Sequence, residues 1–157
     1  MAVERFLGLD LAWGGSRPGR IANESGLVIL DRTGHVLNVA WTRGVEETLG
    51  RVAAAAGDES ALLFVDAPLV VENPRGQRPC ETQVGQRYGR WKVSANTTNV
   101  LSPRLAGVAL RRRLEAAGWM YSSGLGGPPT DGRTISECYP YTTLVGVSDP
   151  NPQVVRG

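Results

Sequence analysis

The chain has 157 residues, of which 41% are hydrophobic and 20% are charged, and its formal net charge is +2. This length fits one domain that can bury a core without disulfides or metals. No leader precedes the first strand and no apolar run approaches the length of a membrane-spanning helix, which indicates a cytoplasmic protein. Cys80 and Cys138 lie far apart, and without a CxxC or Cys/His cluster they are expected to be free thiols rather than zinc ligands.

The first predicted strand lies in Arg5–Gly15, RFLGLDLAWGG, and carries one aspartate within an apolar run. Aspartate is a poor strand former and is costly to bury, so Asp10 requires a cation, an arginine or several backbone donors as partner. A second apolar strand, Ala61–Pro68, ALLFVDAP, ends in Asp66. We expect both strands to be buried and to place their aspartates together. Alternation divides the first strand into one face with Leu7, Leu9 and Leu11 and another with Phe6, Gly8 and Asp10.

A hairpin and a helix are predicted between these two strands. A turn-rich loop, residues 14–25, leads to a strand at Gly26–Leu30, and a short turn then leads to Val36–Trp41, so this pair is antiparallel. Gly44–Ala56 has apolar residues at helical spacing. Because a strand, a helix and a strand of this length form a crossover, the strand ending at Asp66 is expected to be parallel to a neighbour in the same sheet.

The second half of the chain is less regular. Val70–Asn99 shows no clear periodicity and is predicted to be a long functional or mobile loop. A helix is predicted from Ser102 to Gly118, because serine suits the N-cap, Pro103 suits the first helical position and glycine ends helices. After a loop at Gly124–Gly132, a short strand, Thr134–Cys138, contains Glu137. One more helix is expected from Tyr139, and the Pro/Asn-rich stretch that follows offers no further one.

The two aspartates predict a divalent-metal site. Neighbouring parallel strands lie ~4.8 Å apart, so Asp10 and Asp66 could share one cation. Open α/β sheets bind ligands at the carboxyl ends of their strands. Oxygen ligands without nearby histidine or cysteine favour Mg²⁺ or Mn²⁺ over zinc. Metals held by carboxylates activate water and stabilise the leaving oxygen in phosphodiester hydrolysis.

A basic segment follows directly after Asp66. Between Glu72 and Arg113 the chain has nine arginine and lysine residues and two glutamates, and such positive charge suits a phosphate backbone. Trp91 is the strongest candidate for base stacking, whereas the other tryptophans are expected in the core or its rim. The candidate nucleic-acid contacts are Arg75, Arg78, Arg87, Arg90 and Lys92.

Four short motifs resemble a known family, the domain of unknown function 429. They are GLDLAWGG around Asp10, FVDAPL around Asp66, RPCE ending at Glu81, and ECYP beginning at Glu137. That family is regarded as predicted nucleases of the RNase H-like superfamily, related to Holliday-junction resolvases. The resemblance implies one RNase H-like domain over residues 1–157, a three-layer α/β fold whose mixed sheet has an antiparallel first hairpin and helices on both faces.

The resemblance also implies roles for the acidic residues. Asp10 matches the first-strand acidic ligand of RNase H-like enzymes and Asp66 matches the fourth-strand one. Those enzymes generally take another acidic ligand from a late helix, which this chain does not have room for, so Glu137 is the candidate substitute or the site is incomplete. A homodimer is expected by analogy with resolvases.

The residues alone leave alternatives open. Asp10 could be satisfied by backbone N–H groups of the next turn, Glu137 could pair with an arginine, and Glu81 is expected in a structural ion pair. Three functions are therefore considered. The first is a metal-dependent nuclease using Asp10, Asp66 and Glu137. The second is a non-catalytic nucleic-acid-binding or partner-binding module with an incomplete site. The third is an actin- or sugar-kinase-like nucleotide-binding protein.

Overall fold

The computed structural model describes residues 2–13, 21–103 and 105–148. Most of the predicted loop at 14–25 and all of the Pro/Asn-rich stretch after residue 148 lie outside these ranges. The chain divides into two compact units, one of Met1–Val70 with Pro103–Cys138 and the other of Val71–Ser102 with Tyr139–Gly157. A single domain over residues 1–157 stays a prediction. None of the helices within the described ranges is long and apolar enough to cross a membrane.

A six-stranded mixed sheet forms the centre of the first unit. Its strands are β1 (Arg5–Asp10), β2 (Glu24–Asp31), β3 (Val36–Arg43), β4 (Ala61–Val65), β5 (Met120–Tyr121) and β6 (Arg133–Glu137). Their order across the sheet is β3-β2-β1-β4-β6-β5. The first three strands pair antiparallel, whereas β1 with β4, β4 with β6, and β5 with β6 pair parallel. The antiparallel hairpin and the parallel strand that ends at Asp66 are thereby confirmed.

The core of this unit lies between one face of the sheet and two helices, α1 (Gly44–Ala56) and α3 (Ala106–Ala116). Alternation along the strands points one set of apolar side chains at these helices, as the period-2 pattern predicts. Leu110 and Leu114 cover this set from α3, and Val52 covers it from α1. The predicted α/β fold, with a mixed sheet and an antiparallel first hairpin, is confirmed, and it is consistent with a three-layer fold.

Helix α3 touches the backbone that follows β4. A Cβ added at Gly107 would lie 2.3 Å from the carbonyl oxygen of Pro68 and 3.1 Å from Cβ of Ala67. Real Cβ atoms do not approach backbone oxygens that closely, so only glycine allows this helix to pack here. This contact fixes the segment that carries Asp66.

The second unit contains helices α2 (Pro79–Tyr88) and α4 (Pro140–Ser148), with a 3-10 turn at Gly89–Trp91. The expected final helix is confirmed by α4. The prediction of Val70–Asn99 as an irregular loop is wrong, because α2 and the 3-10 turn lie within it. The buried residue of α2 is Glu81, so the helix has no apolar stripe from which periodicity could predict it.

The helix predicted from Ser102 begins later, at Ala106. The Ser102 hydroxyl instead accepts a hydrogen bond of 3.0 Å from the Asn99 N–H, so this serine closes a turn before the helix. Strand β5 is absent from the sequence prediction. It has two residues, too few to produce an alternating pattern.

Candidate functional site

The structure places Asp10 and Asp66 at the ends of adjacent strands. Asp10 is the last residue of β1, and Asp66 directly follows β4. The two strands pair in parallel up to Leu9 and Val65, and the Asp66 N–H continues this pairing by donating to the Leu9 carbonyl at 2.9 Å. Since paired strands lie ~4.8 Å apart, the two aspartates are neighbours across the sheet. The Asp10 side chain is exposed and Asp66 is half-buried.

Residues just after β1 hold in place the carboxyl ends of β1 and β4, which together with the end of β6 we call the acidic edge. The Ala12 N–H donates to the Ser25 hydroxyl at 2.9 Å, and Ser25 is buried. The Trp13 indole N–H donates to the Asp66 carbonyl at 3.4 Å, while the Trp13 carbonyl accepts from the Ala106 N–H at the start of α3 at 3.4 Å. The chain after Asp10 therefore connects β2, α3 and the backbone of Asp66.

Glu137 lies at the same edge, on the third strand of the set. It is the last residue of β6 and is paired in register with Val65. Its Oε2 accepts a hydrogen bond of 2.9 Å from the Leu69 N–H, so it also fixes the loop that follows Asp66. By alternation Glu137 shares the core side of the sheet with Val65, whereas Asp10 belongs to the opposite side. The three carboxylates meet at one edge but not on one face.

This gathering of negative charge changes the acidity of the groups at the edge. Burial raises the pKa of Asp66, and the charges of Asp10 and Glu137 raise it further. Burial, followed by the charges of Asp66 and Glu137, likewise raises the pKa of the Cys138 thiol to about 11. Within the described ranges no cation forms an ion pair with Asp10 or Asp66. Among residues 2–13, 21–103 and 105–148, Asp10 and Asp66 therefore lie close together without an ion-pair partner.

The donor chemistry of this edge fits a hard divalent cation. Carboxylate oxygens are the ligands that Mg²⁺ and Mn²⁺ prefer, and Mg²⁺ usually takes one or two carboxylates together with waters and substrate phosphates. Among residues 2–13, 21–103 and 105–148, no group of three or more histidine, cysteine, aspartate or glutamate side chains is placed to hold a metal. By alternation Glu137 lies on the other side of the sheet from Asp10, so a cation shared by Asp10 and Asp66 would take two carboxylate ligands from the chain.

Most of the predicted nucleic-acid contacts are exposed in the second unit. These are Arg75, Arg87, Arg90 and Lys92. The Arg90 guanidinium lies over the Trp91 ring, 3.6 Å from its centroid, and Tyr88 packs against Trp91 with centroids 6.0 Å apart. This aromatic group with a cation on one ring has the chemistry of a base-stacking surface. Its role in binding nucleic acid stays a prediction.

Arg78 differs from the other predicted contacts because it is buried. Its Nε donates to Glu81 Oε1 at 2.7 Å, and its backbone N–H donates to Glu81 Oε2 at 2.9 Å. Glu81 also accepts the Thr98 N–H at 3.0 Å. Burial raises the pKa of Glu81, but the hydrogen bonds from Arg78 and Thr98 together lower it below its usual range. The structural ion pair expected for Glu81 is present.

A family model described as "Protein of unknown function (DUF429)" matches residues 8–149. The chain belongs to the DUF429 family. The DUF429 match includes both aspartates of the edge, Glu137, and the Arg78–Glu81 pair, so the family resemblance carried by the four motifs is confirmed. The chain matches no curated protein and no solved structure.

Sequence reasoning missed the groups that hold the DUF429 acidic edge. Trp13, expected only as a core or rim aromatic, binds the Asp66 backbone. The GLDLAWGG motif contains it and was a usable signal. Leu69 contributes its backbone N–H, and Gly107 permits close packing because it has no side chain. No residue pattern in one sequence predicts such contacts.

Proposed function

We propose that this DUF429 protein is a metal-dependent nuclease of the RNase H-like type, in which Asp10 and Asp66 bind one Mg²⁺ or Mn²⁺ ion. One observation carries the proposal. The parallel pairing of β1 with β4 brings two carboxylates to adjacent strand ends, where the pKa of Asp66 is raised and no described cation pairs with either. Carboxylates whose pKa is perturbed by burial and by neighbouring charges cluster at functional sites, and this supports the proposal.

The chain's own residues have distinct roles in this proposal. Asp10, the exposed member, is open to the solvent from which a cation and a phosphodiester would approach. Asp66 is half-buried, and Trp13 fixes its backbone. Glu137 fixes the loop after Asp66 through Leu69 and adds negative charge that strengthens cation binding. When bound, the metal would activate water and stabilise charge on the phosphate oxygens.

The proposal includes a nucleic-acid substrate, a cytoplasmic location and a homodimer. The exposed basic residues Arg75, Arg87, Arg90 and Lys92 support the substrate, because phosphate contacts supply most of the affinity of nucleic-acid-binding proteins. DNA and RNA are both candidates. Analogy with resolvases supports the homodimer, and sedimentation of the purified protein would measure it.

Titration of Mn²⁺ by calorimetry tests the metal site. We expect the wild type to bind Mn²⁺, and we expect Asp10→Asn and Asp66→Asn each to lose binding while remaining folded. Asp58→Asn is the matched control, since Asp58 belongs to the same unit, is fully exposed and forms a long ion pair with Arg133 at 3.7 Å. It should bind Mn²⁺ as the wild type does.

The same proteins are then incubated with single-stranded and duplex DNA and RNA in the presence of Mn²⁺. The wild type and Asp58→Asn should cut at least one substrate, and both site variants should cut none. A folded wild type that binds no Mn²⁺ would refute the proposal. Nucleic-acid binding that persists in Asp10→Asn, without cleavage by any form, would instead show the non-catalytic binding module.

A further inference from the structure

On the face of the sheet that points away from the core, β3 exposes three large apolar side chains, Val36, Val39 and Trp41. The positions of β2 and β3 that point away from the core include Val28, Leu30, Val36, Val39 and Trp41, with Glu24 and Arg43 paired to each other at the end. Trp41 is 68% exposed, which is unusual for the side chain with the largest apolar surface. The core does not require Trp41, so its exposure calls for another explanation.

The register of the strands aligns Trp41 with the acidic edge. Trp41 pairs with Gly26 on β2, and Gly26 in turn pairs with Asp10 on β1. Asp66 lies beside Asp10 on the next strand. Trp41 and Asp10 are thus in one row across the sheet, two strand spacings or ~10 Å apart at the backbone.

Gly26 leaves space for the Trp41 indole between these two positions. A Cβ added there would be 3.5 Å from Cζ3 and 3.9 Å from Cη2 of Trp41, so the ring lies against the bare backbone of Gly26. Alternation points Trp41, Gly26 and Asp10 to the same face of the sheet. The ring therefore lies over Gly26, the residue that stands between Trp41 and Asp10 in this row.

We propose that Trp41 is a stacking platform for one unpaired base of a single-stranded nucleic acid whose phosphodiester reaches Asp10 and Asp66. This inference rests on the proposed function and names its substrate class. The ~10 Å between the two positions equals roughly three nucleotides of a stacked strand at ~3.4 Å each, and fewer of an extended one. A base must be unpaired to present its face to an indole, because both faces of a paired base are stacked within the duplex.

The chemistry of the row favours stacking over phosphate contacts. Around Trp41 the outward side chains of β2 and β3 are apolar, and Arg43 is neutralised by Glu24 at 2.7 Å. Affinity contributed by Trp41 should thus depend little on salt, whereas affinity contributed by arginine and lysine falls steeply as salt rises. This difference separates the two contributions in one experiment.

The test measures binding of a fluorescein-labelled 12-nucleotide single strand and of the matching duplex, at low and high salt, before Mn²⁺ is added. We expect Trp41→Ala to weaken single-strand binding about ten-fold at both salt concentrations and to leave duplex binding unchanged. Trp41→Phe should keep most of the affinity because it keeps an aromatic face. Val39→Ala is the control, since Val39 is exposed on the same face of β3, and it should bind as the wild type does.

Mn²⁺ calorimetry and sedimentation on the same proteins separate the possible failures. If the wild type binds Mn²⁺ but Trp41→Ala binds the single strand as tightly as the wild type does, the stacking platform alone is overturned. Absence of Mn²⁺ binding with a Trp41-dependent single-strand affinity would overturn the metal site alone. If Trp41→Ala dissociates a homodimer without changing single-strand affinity, the open face binds a second copy and the proposal is wrong.

Discussion

Glu81 is a buried carboxylate of the second unit, and Asp66 is a half-buried carboxylate of the first. Their surroundings shift the pKa of the two side chains in opposite directions. Glu81 receives hydrogen bonds from the Arg78 side chain and from two backbone N–H groups, and its pKa is lowered. Asp66 has Asp10 and Glu137 as neighbours, and its pKa is raised. The first arrangement stabilises the charged form of its carboxylate, and the second destabilises it. Within residues 2–13, 21–103 and 105–148, Asp66 has no ion-pair partner comparable to the Arg78 of Glu81.

The two shifts have opposite consequences for stability as pH changes. A lowered pKa means that Glu81 stabilises the fold above its ordinary pKa, and this contribution is lost as pH falls through the folded pKa. A raised pKa means that the folded state holds a proton on Asp66 more tightly than the unfolded chain does. Stability from Asp66 is therefore lost as pH rises from its ordinary pKa through the raised one.

Removal of the Glu81 carboxylate should have the largest effect. Glu81→Ala leaves the Arg78 guanidinium buried without its partner and removes the acceptor of two backbone N–H groups. We expect a loss of about 3–5 kcal/mol in the free energy of unfolding at pH 7, measured by urea titration. The difference from the wild type should shrink in acid.

Glu72→Ala is the matched control, because Glu72 is an exposed glutamate of the same unit. It should change the unfolding free energy by less than ~0.5 kcal/mol. Equal effects of the two variants would show that the buried pair has no special role.

Gly107→Ala tests whether backbone contact holds the acidic edge. Alanine favours helices over glycine by ~1 kcal/mol, but the new Cβ would lie 2.3 Å from the Pro68 oxygen. We expect the clash to exceed the propensity gain, with a net loss of about 2 kcal/mol and a melting temperature lower by roughly 4–8 °C. Gly50→Ala in α1, where a Cβ meets nothing within 4 Å, should instead be neutral or stabilising. Similar melting temperatures for both variants would contradict the contact.

Asp66→Asn should have the smallest effect and the opposite sign. Without metal at pH 7, removal of the charge relieves repulsion from Asp10 and Glu137, and we expect a gain of up to ~1 kcal/mol after allowance for solvent screening. With saturating Mn²⁺ the wild type should become more stable than Asp66→Asn, because only the wild type gains stability from binding the ion. Thermal melts of both proteins with and without Mn²⁺ measure this. A loss of stability in metal-free Asp66→Asn would contradict the repulsion.

Alternation and turn residues were enough to predict the first three strands, α1 and the Asp66 strand, because each follows a pattern of apolar side chains. The same patterns placed Asp10 and Asp66 together. Helix α2 was missed because it buries a glutamate rather than an apolar stripe. The alignment of Trp41 with Asp10 depends on the pairing of two strands with a third, and a single sequence does not contain that register.

The central position of β4 has a consequence for folding. Leu9 pairs with Val65, and Val65 pairs with Glu137, so this part of the sheet joins segments that are distant along the chain. Closing such loops is slow. Until β6 arrives, β4 has an unpaired edge along an apolar strand, ALLFV, which can pair with another molecule. Aggregation therefore competes with the pairing of β6 to β4, the step that also brings Glu137 to Asp66.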